Sequence, residues 1–263
     1  MAELGASYSY RLDTSNLPFH VSVNETTFLY NPWSITTLGK NYAVLHGKGI
    51  KGEPWQPITA GKITGISMYK NDNFFCSLSG VSFSAPDYFT WKTKSNREIG
   101  EDLLAGSDSI SGSLKADVLD GFRGNDTIRG DAGSDRLIGN AGNDTLSGEA
   151  GRDTLTGGSG RDKFVFDTEP MLSSLDRVTD FTRGEDRFYL SRSVFKDIGS
   201  KGALEKGIFR SATAAQDGTD RILYDKKTGV LSYDPDGNGA LGQAAFAAVD
   251  KGLSLTTKDF YIL

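Results

Sequence analysis

Seven aspartates, Asp108, Asp117, Asp126, Asp135, Asp144, Asp153 and Asp162, recur every nine residues. From Leu103 the chain reads LLAGSDSIS, GSLKADVLD, GFRGNDTIR, GDAGSDRLI, GNAGNDTLS, GEAGRDTLT and GGSGRDKFV. Glycine opens six of these units and fills the fourth place in six. Carboxylates in fixed phase beside glycine turns are hard oxygen donors, which suit Ca²⁺ better than a transition metal. The candidate ligands are those seven carboxylates with residues at the first and third places, Gly121, Arg123, Gly130, Ala132, Gly139, Ala141, Gly148, Ala150 and Gly157.

Each aspartate is followed two residues later by an apolar side chain: Ile110, Leu119, Ile128, Leu137, Leu146, Leu155 and Phe164. Six glycine-rich residues make a turn, because their backbone visits conformations that a Cβ penalises. The last three residues make a short strand with one side chain inward. Two units complete a coil, and each coil then buries only two apolar side chains. That core is too thin to offset backbone entropy of roughly 1–2 kcal/mol per residue. Cations joining stacked turns supply the deficit: at about ten times its dissociation constant, each adds roughly 1.4 kcal/mol. A glycine-rich linker is the competing reading, but a linker has no reason to keep aspartate and an aliphatic residue in phase through seven units.

These units resemble the repeats-in-toxin (RTX) nonapeptide GGxGxDxUx, where U is a large apolar residue. The resemblance implies a parallel β-roll, several calcium ions in its turns, and export through a type I secretion apparatus. Two units depart from the pattern. GSLKADVLD carries Lys115 at the fourth place, and LLAGSDSIS lacks the opening glycine. The first coil is therefore expected to be an incomplete site or a cap, with the strongest sites at Asp126, Asp135, Asp144 and Asp153.

Downstream, VTDF (178–181) and GEDRFYL resemble the segment that closes the roll in serralysin-type C-terminal domains. A coil end left open would expose strand edges, so a β cap is required. Asp176 and Asp180 read as polar cap residues in preference to ligands of a last cation. Residues 220–225 and 229–234 predict a hairpin. Asp234–Gly239, DPDGNG, lacks the glutamate that an EF-hand needs at its twelfth position, where Ala245 stands, and reads as a tight turn. KDFYIL resembles the acidic-then-hydrophobic tail of type I export substrates.

The first hundred residues alternate apolar and polar side chains over SYSYRL, HVSVNETTFLY, YAVLHG, GKITGISMY and FFCSLSGVSFS, which predicts strands. The whole is read as all-β: a β-sandwich-like N-terminal domain (1–100), a parallel β-roll of nonapeptide repeats (101–166), and a C-terminal β cap (167–263). Nine Lys/Arg against seven Asp/Glu leave the first hundred residues slightly basic, so the overall charge of −5 comes from the repeats and cap. With no basic cluster in the sequence, a nucleic-acid partner is disfavoured. No stretch approaches eighteen apolar residues, so no transmembrane segment is expected.

Catalytic motifs are missing. His20 and His46 are the only histidines and form no HExxH, so the protease site of serralysins is excluded; no GxSxG elbow occurs. The lone cysteine, Cys76, reads as a small core side chain. Trp33, Trp55 and Trp91 all lie in the N-terminal region, as core or as sugar-stacking platforms. The expectation is a secreted, extracellular calcium-binding protein whose non-catalytic N-terminal domain engages a cell surface, polysaccharide or host partner. The alternative is a small polysaccharide hydrolase, which needs only two well-spaced carboxylates.

Overall fold

In this computed structural model the described residues are 3–6, 21–22, 27–28, 42–51, 60–70, 73–84, 101, 104–170 and 174–263. Strands dominate, and most of their pairings in the roll and cap are parallel. No helix among the described residues is long and apolar enough to cross a membrane.

The N-terminal strands are β1 (Glu3–Ala6), β2 (Val21–Ser22), β3 (Thr27–Phe28), β4 (Tyr42–Lys51), β5 (Ala60–Lys70) and β6 (Asn73–Ser84). The last three form an antiparallel meander, and β1 pairs antiparallel with β6. SYSYRL (7–12) lies outside the described residues, as do the side chains on which sandwich-like packing would rest. Within HVSVNETTFLY the described residues form β2 and β3.

The repeats give β7 (Ser109–Ser111), β8 (Val118–Asp120), β9 (Thr127–Arg129), β10 (Ala132–Gly133), β11 (Arg136–Ala141), β12 (Thr145–Ser147), β13 (Ala150–Gly151), β14 (Thr154–Ser159) and β15 (Lys163–Phe166). Successive units alternate between two parallel sheets. One stacks Ile110, Ile128, Leu146 and Phe164 in register. The other stacks Leu119, Leu137 and Leu155. All seven side chains are fully buried, so each coil contributes two rungs to a narrow apolar ladder.

Both sheets continue into the cap: β16 (Asp176–Val178), β17 (Arg187–Leu190), β18 (Gly202–Ala203), β19 (Phe209–Arg210), β20 (Ile222–Asp225), β21 (Val230–Tyr233), β22 (Ala244–Ala248) and β23 (Phe260–Ile262). In the first sheet β17 and then β23 add parallel to β15, and β18 closes that edge antiparallel. In the second, β16 and β22 add parallel to β14, followed by the β20–β21 hairpin. Here the thin aliphatic ladder widens into an aromatic core. Phe181 stacks on Phe188 with centroids 4.2 Å apart, and Phe188 packs tilted against Phe164 and Phe260. Aromatic side chains bury far more area than the aliphatic rungs, so among the described residues the cap supplies the bulk of the apolar core.

The DPDGNG segment is not a tight turn. It begins the longer connection 234–243 between β21 and β22. The reason is packing on a second turn: Asp217 O accepts from Asn238 N at 3.2 Å, and Gly237 (φ 71°) lies 2.5 Å, measured from a notional Cβ, from that same carbonyl.

Candidate metal centre

The repeat turns stack in two columns, and each aspartate divides its two oxygens between two tasks. Oδ1 accepts a hydrogen bond from the backbone N–H of the aspartate one coil upstream. In one column Asp126 receives from Asp108, Asp144 from Asp126 and Asp162 from Asp144, at 2.8–2.9 Å. In the other Asp135 receives from Asp117 and Asp153 from Asp135, both at 2.8 Å. These bonds lock the turn register of successive coils.

Oδ2 of Asp126, Asp135, Asp144, Asp153 and Asp162 is buried without a hydrogen-bond partner. Five such atoms in neighbouring turns are costly, because each is a desolvated acceptor left unsatisfied. Each lies against the opening glycine of its own unit. A Cβ on Gly121 would stand 2.6 Å from Asp126 Oδ2 and 3.1 Å from Gly139 O, the opening carbonyl one coil on. The same space at Gly130 is bounded by Asp135 Oδ2 and Gly148 O, and at Gly139 by Asp144 Oδ2 and Gly157 O. At Gly148 and Gly157 it is bounded by Asp153 and Asp162 Oδ2. Only glycine therefore lets a carboxylate oxygen and, at Gly121, Gly130 and Gly139, a main-chain carbonyl close in where a Cβ would stand.

Burial, reinforced by the carboxylates one coil away, pushes the Asp126 and Asp135 carboxyls up to about 7. Burial likewise raises Asp144 and Asp162 to about 6 and lifts Asp153. Such carboxyls hold protons near neutrality until a cation replaces them. The donor set is all oxygen and anionic, which fits Ca²⁺. Among the described residues no three His, Cys, Asp or Glu side chains gather around one point, as expected where backbone carbonyls complete each site.

The third-place residues occupy a separate ladder through the turns. Arg123 lies opposite Ala141, and Ala132 opposite Ala150. Ala141 O accepts from Gly124 N at 2.8 Å. The degenerate unit is closed from within: Ser113 N donates to Asp117 Oδ2 at 2.6 Å, so a backbone N–H occupies the oxygen that its counterparts leave open. Asp108, buried in the first coil, is tied to the second by its N–H.

Both columns run into the cap. Asp153 N donates to Asp176 Oδ1 at 3.0 Å, and Asp162 N to Asp186 Oδ1 at 2.9 Å. Asp186 Oδ2 also accepts from Thr182 N. Asp180 receives Gly157 N and Gly158 N on its two oxygens, at 2.9 and 2.8 Å. The part of Asp186 is missed by counting in nines, since the steps into the cap are 24 and 23 residues. The signal is nonetheless present: Asp176–Val178 and Asp186–Phe188 repeat the aspartate-to-apolar spacing. A fifth-place ladder was also hidden, with Asn125 Oδ1 accepting from Asn143 N at 2.7 Å and Asn143 Oδ1 from Arg161 N at 2.8 Å.

A family model described as the RTX calcium-binding nonapeptide repeat (4 copies) matches residues 104–137 and 129–164. Among solved structures, the solution structure of the AlgE6R3 subunit from the Azotobacter vinelandii mannuronan C5-epimerase is similar at 25% identity and a TM-score of 0.33. That alignment covers 59% of this chain and 77% of the other. No curated protein matches the chain.

Proposed function

We propose that this chain, whose residues 104–164 are RTX calcium-binding nonapeptide repeats, is an exported protein whose roll folds on meeting calcium outside the cell. The observation that carries this reading is the double column of buried Oδ2 atoms without partners, each beside an opening glycine. Bound calcium supplies positive charge where the repeats have converged carboxylates. Asp126, Asp135, Asp144, Asp153 and Asp162 would hold it through Oδ2, with the opening carbonyls of Gly139, Gly148 and Gly157. The chain's own contribution is to orient these atoms: the Oδ1 ladder aims each carboxylate, and the absence of a Cβ at each opening glycine lets the oxygens converge. Export in this reading runs through a type I secretion apparatus, and the protein acts extracellularly.

The first hundred residues engage a cell surface, glycan or host partner without catalysis. Support comes from the sequence: two histidines without a shared motif, and no nucleophile elbow. The discriminating assay incubates the full chain with surface polysaccharides and follows binding and reducing-sugar release in parallel. Binding without release supports this role; release of sugar assigns a hydrolase instead.

Calcium-coupled folding is tested by circular dichroism of the full chain during chelation and calcium return. Chelation is expected to remove most of the β signal of the repeats, and millimolar calcium to restore it. A spectrum indifferent to chelator would refute the reading.

A further inference from the structure

Although the chain is acidic overall, one face of the roll and cap is not. The outward side chains of the first sheet at its downstream end line two adjoining depressions, of about 360 and 340 Å³, which share Gly184 and Arg187. Five cationic side chains surround them: Arg161, Lys163, Arg183, Arg187 and Lys258. Three of the four acids that line them are buried and turned inward. Asp162 and Asp186 serve the turn ladder, and Asp259 binds Thr256 and pairs with Arg183 at 3.6 Å. Glu185 is the one exposed carboxylate among the lining residues. Among the described residues, Lys163, Arg187 and Lys258 form no ion pair.

The cations and aromatics are paired across neighbouring strands. Lys163 and Arg187 are register partners on β15 and β17, and Tyr189 and Tyr261 are partners on β17 and β23. The tyrosine rings, partly exposed, have centroids 5.0 Å apart and are tilted by 36°, and Lys163 Nζ lies over the Tyr189 ring 5.9 Å from its centroid. One cation pair and one tyrosine pair thus each span a single strand spacing of about 4.8 Å. A chain of carboxylated pyranose rings repeats at nearly this interval, with one negative charge and one apolar ring face per unit. Duplex DNA carries a charge every ~1.7 Å, far denser than one cation per strand can match.

We infer that this face binds an acidic polysaccharide of the polyuronate class, whose carboxylates meet Lys163 and Arg187 while its rings stack on Tyr189 and Tyr261. The surface lies on the roll and cap, and so is distinct from the partner role given to the first hundred residues. It exists only in the folded protein, so it also rests on the calcium reading.

The test uses the full chain in saturating calcium, with tetragalacturonate as probe in a calorimeter; so short an oligomer does not gel. Maltotetraose and an oligothymidylate of equal charge serve as comparisons. Tetragalacturonate is expected to bind best, and more weakly as salt rises. The double substitution Lys163→Gln/Arg187→Gln should weaken it by about tenfold or more, since charge-assisted contacts are lost. Tyr261→Ala should weaken it severalfold, and both variants should keep the wild-type calcium midpoint by circular dichroism. Equal binding by the double variant, or equal binding of either comparison oligomer, overturns the inference. So does a wild-type chain that folds with calcium yet ignores tetragalacturonate, an outcome that leaves calcium-coupled folding intact.

Discussion

At the scale of single residues, the two oxygens of one aspartate separate structure from metal. Asp144→Asn keeps an acceptor for Asp126 N but removes the charge at the open oxygen. It is expected to raise the calcium midpoint about tenfold, roughly the loss of one charge-assisted contact. Asp117→Asn should shift it far less, because Ser113 N already occupies that oxygen; a calcium titration of both variants decides. Protons compete for the same atoms. In the metal-free roll Asp126 and Asp135 titrate near 7 and Asp144 and Asp162 near 6, all above the ordinary carboxylate value of 3.8. The folded state therefore binds more protons than the unfolded chain between about pH 4 and 7, and its metal-free stability falls as pH rises through that window. Calcium affinity runs the opposite way and weakens as pH falls from 7 toward 5. Circular dichroism in chelator should show more β signal at pH 5 than at pH 8, while the calcium midpoint is lower at pH 8. Most of these residues were legible because Asp recurs in phase. The substitution of a backbone N–H for an ion at Asp117 was not, since it depends on where Ser113 N points.

Elements carry the second tier of argument. Gly139 has room for no methyl group, because Asp144 Oδ2 and Gly157 O fill the place of a Cβ. Gly139→Ala should therefore close one site and raise the calcium midpoint severalfold, whereas Gly242→Ala, on ordinary backbone with nothing within 4 Å, should leave that midpoint in place. Parallel calcium titrations compare them. The strands of the roll were readable from one apolar residue per nine, and the β20–β21 hairpin from its turn. What stayed hidden were connections whose length is set by packing rather than repetition. Examples are the steps from Asp162 to Asp186 and from Asp153 to Asp176, and the 234–243 connection held by Asp217. KDFYIL, which resembles an export tail, also has a structural part: Phe260 and Ile262 are buried, and β23 lies between β17 and β18 in the first sheet. An acidic residue before hydrophobics is equally the pattern of a strand start.

For the molecule as a whole, the ladder of aspartates has a direction. Every upstream coil offers an N–H to the coil after it, and the last acceptors, Asp176 and Asp186, belong to the aromatic cap. The aspartate ladder thus ends on the cap, while the strand bonds between coils run the other way too, as where Thr127 N donates to Asp108 O. Pulled from the Leu104 side in an optical trap, the roll should yield like a strip unstitched from one end. Each stitch would free eighteen residues, and the tether would lengthen by about 60 Å per event. Calcium should set the force of these steps and leave their length unchanged, whereas rupture of all coils in one jump would contradict the directional ladder. A protein so constructed resists tension gradually, surrendering length in equal portions while its anchored end stays whole.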